Sequence, residues 1–188
     1  MAKNDRRVKY TKMVLKNALI ELMQEKPIAK INIKEICERA DINRGTFYSH
    51  YIDQFDLQKQ IFDELVHGID VMIDSSILTM NIERSGRLLT SVFSYLLENK
   101  QLVSVLMSEN STIDIQKEVF RFLKEKNLLK PITPHTKTLD YLYAFMASGC
   151  VGMVREWLNA GTETPEDIAR YVALFITQGA IGVVRKNG

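Results

Sequence analysis

The sequence predicts an all-α protein in which a small N-terminal helical bundle runs into a larger helical domain. Three observations carry that prediction. Apolar residues recur at helical spacing along nearly the whole chain. The 188 residues include only 9 Gly and 4 Pro, too few for the many tight turns of a β-sandwich. No run of useful length alternates between apolar and polar residues.

The elements follow in order. Over residues 11–25, Val14, Leu15, Ala18, Leu19, Leu22 and Met23 form one helical stripe, which Pro27 ends. Asn32 offers a side-chain oxygen as N-cap, and Glu35 stands where it can reach back to the Asn32 N–H, as in a capping box. Ile33, Ile36, Cys37 and Ala40 then make the apolar face of a short helix, broken at Asp41-Ile-Asn43. Asn43 can cap a second short helix over about 44–51. A longer helix starts at Asp53, carries Leu57, Ile61, Leu65 and Ile69 on one face, and is expected to continue toward Met80. Residues 82–99, 101–107, 113–126, 138–159 and 165–186 also read as helices. The loops expected between them are 131–134 and 161–165, and Thr164 with Pro165 and Asp167 starts the last helix.

Composition narrows the class. With 46% hydrophobic and 26% charged residues, the chain has ordinary globular proportions. The longest purely apolar run, 172–176, is far short of a membrane span. The charged start, Met1-Ala-Lys-Asn-Asp-Arg-Arg, leads into no apolar signal core, so a cytoplasmic protein with no membrane role is expected. Cys37 and Cys150 match neither a disulfide framework nor a zinc spacing, and no metal or cofactor is expected. Charge is unevenly distributed: residues 1–60 carry a net +4 and residues 61–188 a net −2. A basic head on a slightly acidic body suits a polyanionic partner.

The residues that point to function lie between Asn32 and Leu57. Two short helices joined by a three-residue turn form a helix-turn-helix, whose second helix can enter a DNA major groove. Ile33, Ile36, Ala40, Ile42 and Phe47 must pack against Leu15, Leu19 and Leu22. Lys34, Arg44, Gly45, Thr46, Tyr48, Ser49 and His50 remain for the exposed side. Arg44 can pair with a guanine edge and Thr46 can offer a hydroxyl or methyl to a base. Gly45 lets the backbone approach closely. Tyr48 and His50 can donate to phosphate oxygens. Taken alone, the pattern also fits a helical hairpin with incidental polar surface.

The stretch Ile33-Lys-Glu-Ile-Cys-Glu-Arg-Ala-Asp-Ile-Asn-Arg-Gly-Thr-Phe-Tyr-Ser-His-Tyr-Ile-Asp-Gln-Phe-Asp-Leu57 resembles the N-terminal domain of the TetR/AcrR family of transcriptional regulators. The Thr-Phe-Tyr-x-His-Tyr signature followed by Asp-x-x-x-Leu carries the likeness, which extends over about residues 8–68. The resemblance implies a three-helix helix-turn-helix DNA-binding domain at 8–68 and a C-terminal regulatory and dimerisation domain at 69–188. It also implies a homodimer on a pseudo-palindromic double-stranded operator, with a small-molecule effector whose identity and pocket stay unknown. By position, Lys34, Arg44, Gly45, Thr46 and Ser49 fall at base-facing sites, and Thr11, Tyr48 and His50 at phosphate-facing sites. Gln54 stands where the family usually has a phosphate-contacting Lys. Gln can still hydrogen-bond a phosphate oxygen without the ionic contribution.

Farther on, Gly149-Cys-Val-Gly-Met-Val-Arg-Glu-Trp-Leu158 and Thr164-Pro-Glu-Asp-Ile168 are similar to a subgroup that includes regulators of the dihydroxyacetone-kinase type. Gly149, Gly152, Gly179 and Gly182 let helix backbones approach closely; the resemblance implies that they lie at the dimer seam, and intrachain packing is the alternative. A repressor released by its effector is the first expectation. An activator or a ligand-independent DNA-binding protein of the same fold is the second. An enzyme is the remote third. Glu64-x-x-His67 has the spacing of half a di-iron site, but no second such pair is present. No P-loop, dinucleotide fingerprint or nucleophile elbow occurs either.

Overall fold

A computed structural model describes the backbone of residues 2–73, 82–127 and 136–186. It describes the side chains of these except 2–5, 82–84, 136–138, 177 and 179–186. The described helices are α1 (Ala2–Glu25), α2 (Ile33–Ala40), α3 (Arg44–Tyr48), α4 (Gln54–Asp70), α5 (Ile82–Glu98), α6 (Lys100–Leu106), α7 (Ile115–Glu125), α8 (Thr136–Ala160) and α9 (Pro165–Lys186). A 3-10 turn, Ile28–Lys30, follows Pro27. No strand occurs among the described residues. The loop expected at 131–134 lies outside them.

The chain divides into two compact units, residues 1–66 with 101–113, and residues 67–100 with 114–188. In the first unit, the stripe of α1 is buried at Leu15, Leu19 and Met23, and Ile28, Ile36, Phe47 and Leu57 complete a tight apolar centre. Residues 101–113 join this unit through polar contacts as well as through Leu102, Val103 and Leu106. The buried Gln58 side chain donates to Ser111 Oγ at 2.9 Å and accepts from Thr112 Oγ1 at 2.8 Å. Asn110 donates its side-chain amide to the Met23 carbonyl at 2.8 Å, and its own carbonyl accepts from Ile28 N–H at 3.0 Å. A buried amide with both ends satisfied is tolerated where an unpaired one would be costly.

The second unit is built on α5 against α9 and α7 against α8. Leu89, Val92, Phe93 and Leu96 of α5 are buried, as are Ile168, Ala169, Val172 and Ala173 of α9. Trp157 meets Phe93 edge to face at 5.5 Å and donates its indole N–H to the Glu163 carbonyl at 2.9 Å. Thr164 and Asp167 exchange backbone and side-chain bonds at the start of α9, as their spacing predicts. Gly68 gives the Tyr95 ring its place: a Cβ there would collide with the ring and hydroxyl unless that side chain shifted.

The start of α1 and the end of α4 differ from the sequence expectation. Helix α1 begins at Ala2, well before position 11. Residues 2–10 lack an apolar stripe, but their Lys, Arg and Ala content lets a helix nucleated downstream propagate through them. Helix α4 stops at Asp70. Beyond it Met72 N–H turns to the Ile69 carbonyl, a three-residue step that tightens the last turn. Residues 74–81, over which the helix was expected to continue, lie outside the described ones.

Candidate nucleic-acid interface

Local chemistry sets the helix-turn-helix. The Asn32 side chain accepts from Glu35 N–H at 3.1 Å, and the Glu35 carboxylate accepts from Asn32 N–H at 3.0 Å, so the predicted capping box is formed. Lys26 bonds the same carboxylate. That bond, followed by the Asn32 backbone N–H, holds the Glu35 carboxyl below its ordinary value. Its contribution to stability is therefore present above the usual carboxylate range and lost as pH falls through the lowered value.

Helix α2 ends where Asp41 enters the left-handed region at φ 53° and ψ 45°. Asp tolerates that conformation better than most residues with a Cβ. Ile42 N–H then reaches the Cys37 carbonyl at 3.0 Å, closing the helix end and turning the chain toward α3.

Helix α3 is capped by Asn43, whose Oδ1 accepts from Thr46 N–H at 2.8 Å and from Thr46 Oγ1 at 3.1 Å. A Cβ at Gly45 would sit 3.3 Å from that same oxygen, so glycine leaves the cap room. Phe47 anchors the helix at 0% exposure. The helix is shorter than the predicted 44–51 and ends at Tyr48. Ser49 Oγ donates to the Thr46 carbonyl at 2.7 Å and His50 N–H bonds the Phe47 carbonyl, so the last turn tightens. Tyr51 is pulled inward against Phe47, with ring centres 5.6 Å apart. Burial first, and then Glu64 and Asp56, push its hydroxyl up to about 12.

A five-residue helix depends heavily on its cap. Asn43→Ala is expected to cost about 1 kcal/mol. It should lower the urea midpoint without changing the slope, and an unchanged midpoint would mean that α3 is held by packing alone.

The structure carries the predicted residues on four elements of the first unit. Arg44, Gly45, Tyr48 and Ser49 are exposed along α3 and its end, while Thr46 and His50 are half-buried. Thr46 is engaged with the cap, and the Ser49 proton is committed to the backbone, leaving its oxygen as an acceptor. Lys34 on α2 is exposed and pairs with Glu38 at 3.6 Å. Thr11 on α1 and Gln54 at the start of α4 are half-buried. On α1, Arg6, Arg7 and Tyr10 are exposed.

Two features had no sequence signal. Ile52 stands 79% exposed just past α3, beside an exposed Phe55. Nothing local separates an apolar residue left in water from one buried by the fold. In the second unit, Tyr141 and Phe145 are exposed on α8 in register with Gly149 and Gly152, and a Cβ at either glycine would meet open space beyond its own helix backbone. On α9, Tyr171 and Phe175 are exposed. Gly179 and Gly182 belong to α9, but their surroundings lie outside the described residues.

Among the described residues no group of three or more His, Cys, Asp or Glu side chains converges. None of the described helices is long and apolar enough to cross a membrane.

Comparison with known proteins gives three findings. A TetR-type family model described as a transcriptional regulator C-terminal region matches residues 85–178, half of the chain. A Bacillus subtilis (strain 168) protein named as the uncharacterized HTH-type transcriptional regulator YxbF is 25% identical over 170 residues. That match covers 87% of this chain but only 44% of the relative, so this chain spans less than half of that protein's length. Among solved structures, a TetR transcriptional regulator from Streptococcus agalactiae 2603V shares the fold at a TM-score of 0.62 and 24% identity. The match covers 92% of this chain and 97% of that one. The dihydroxyacetone kinase operon activator DhaS does so at 0.61 and 18% identity, over 90% and 96%.

Proposed function

The chain belongs to the TetR family of transcriptional regulators, and on that premise we propose that it is a ligand-responsive homodimer that binds a double-stranded operator through α3. The reading rests above all on α3: a rigidly capped helix, anchored by the fully buried Phe47, presents Arg44, Gly45, Tyr48 and Ser49 to solvent.

The roles follow from chemistry. Arg44 reads a guanine edge by paired donors, and Thr46, Ser49 and Lys34 contact neighbouring base edges. Tyr48, His50, Thr11 and Gln54 meet phosphates and set the register. Residues 8–68 form the DNA-binding domain and residues 69–188 the regulatory and dimerisation domain. The exposed Phe145 and Phe175, with Gly149 and Gly152 following Phe145 along α8, support a seam made by α8 and α9 of two copies. Gly179 and Gly182 extend that seam. The protein works in the cytoplasm without a metal or cofactor.

A small apolar or amphipathic effector binds the second domain and favours a conformation with the wrong spacing between the two α3 helices. It acts only through its different affinities for the two states. Repression released by the effector is the first reading. Activation is the second, favoured by the fold likeness to DhaS, which is named an activator.

Selection of duplexes from a random pool, followed by binding at two salt concentrations, tests the reading. A symmetric site should emerge. Its affinity should fall by roughly a thousandfold or more between about 50 and 200 mM salt, as expected for six or more phosphate contacts. Recovery of no preferred duplex would overturn the proposal.

A further inference from the structure

We propose that Ile52 is a DNA-contacting residue that seats on uncharged, apolar surface of the operator, a thymine methyl or an adjoining deoxyribose face. In this way it extends the reading surface past the end of α3. The inference rests on the DNA-binding reading above.

Arg44, Tyr48 and Ile52 recur at every fourth position and are all exposed, whereas Phe47 and Tyr51 between them are buried. Although α3 ends at Tyr48, Tyr51 N–H still bonds the Phe47 carbonyl, a helical step that carries the chain to the residue before Ile52. The exposure is not isolated. Tyr48 is 58% and Ile52 79% exposed, with Phe55 beyond them. A single apolar side chain in water needs no explanation, but here three fall within eight residues.

The backbone at Ile52 is pinned. Its N–H donates to Asp56 Oδ2 at 2.9 Å, while Asp56 N–H donates to Asp53 Oδ1 at 2.8 Å. An exposed side chain on a pre-set backbone loses little freedom on binding, so its apolar contact is largely kept as affinity.

Charge chooses what the side chain meets. Asp53 and Asp56 place two carboxylates at this end of α4, and Gln60 holds Asp56 with its amide 3.2 Å from each oxygen. Ile52 has no side-chain donor to offer a phosphate and the two carboxylates add none, so a phosphate at this end of α4 is left to the Gln54 amide. Deoxyribose and the thymine methyl are the uncharged, apolar parts of the duplex, and the methyl is the apolar group presented on base edges in the major groove.

The test compares Ile52→Ser and Ile52→Leu on the duplex selected with the wild-type protein. Ile52→Ser should bind roughly fivefold or more weakly, with unchanged thermal stability and an unchanged salt slope, because no charge is removed. Ile52→Leu should keep most of the affinity. Deoxyuridine replacing thymidine one position at a time separates the two surfaces. If a methyl is the contact, one replacement weakens the wild type and leaves Ile52→Ser indifferent. If deoxyribose is the contact, the Ile52→Ser deficit persists at every replacement. Binding of Ile52→Ser within twofold of wild type, or equal losses in Ser and Leu, would overturn the proposal. Failure of the wild-type protein to select any duplex would overturn the DNA-binding reading and this inference with it.

Discussion

A Phe145→Asp, Phe175→Asp double variant is expected to sediment as a monomer and to lose operator affinity by a hundredfold or more. Both side chains are largely in water in the single chain, at 77% and 72% exposure, so replacing them removes little of the chain's own core. In the proposed dimer they become buried, and a carboxylate there has no partner, which is far more costly than losing an apolar contact. The DNA effect follows from linkage. Two tethered heads engage two half-sites with the second event effectively intramolecular, which raises affinity by about 10² to 10⁴ over one head alone. Sedimentation, circular dichroism and binding to the selected duplex read the three parts. Retained helicity with lost dimerisation supports the seam. A variant that stays dimeric excludes α8 and α9 as its location.

Arg44→Ala is expected to weaken the best duplex by about 1 to 3 kcal/mol, or roughly 5- to 150-fold, and to relax preference at one base pair in each half-site. Arg44 is exposed and makes no ion pair among the described residues that would be broken by its removal. The loss therefore reports the DNA contact. Tyr48→Phe removes only a hydroxyl from a ring that is 58% exposed. It should weaken all sequences by a similar factor and leave the preference profile intact. Measured over a panel of single-base variants, the two substitutions give different signatures: one flattens a column, and the other lowers the whole panel. If Tyr48→Phe and His50→Ala both leave affinity unchanged, the phosphate assignments are wrong.

Much of the local structure was legible in the sequence. Asn32 with Glu35, Asn43 with Thr46, and Thr164 with Asp167 each announce a helix start, because a cap is made by residues within one turn of each other. The same locality made the α2–turn–α3 unit readable, with Phe47 inward and Arg44 outward. The end of α3 was harder to place. Apolar spacing continues to Tyr51, yet the helix closes at Tyr48 because the Ser49 hydroxyl and His50 N–H take the last carbonyls in a tighter turn.

The chain by itself determined the class, the capped helices and the inward Phe47 with the outward Arg44 and Tyr48, since each is settled by side chains a few positions apart. Tertiary structure alone decided that residues 101–113 pack with the first unit, held by Gln58 and Asn110. It alone left Ile52, Phe145 and Phe175 in water. The physical reason is that periodicity marks which face of a helix is apolar. Whether this chain, a second copy or DNA covers that face depends on what distant segments bring to it.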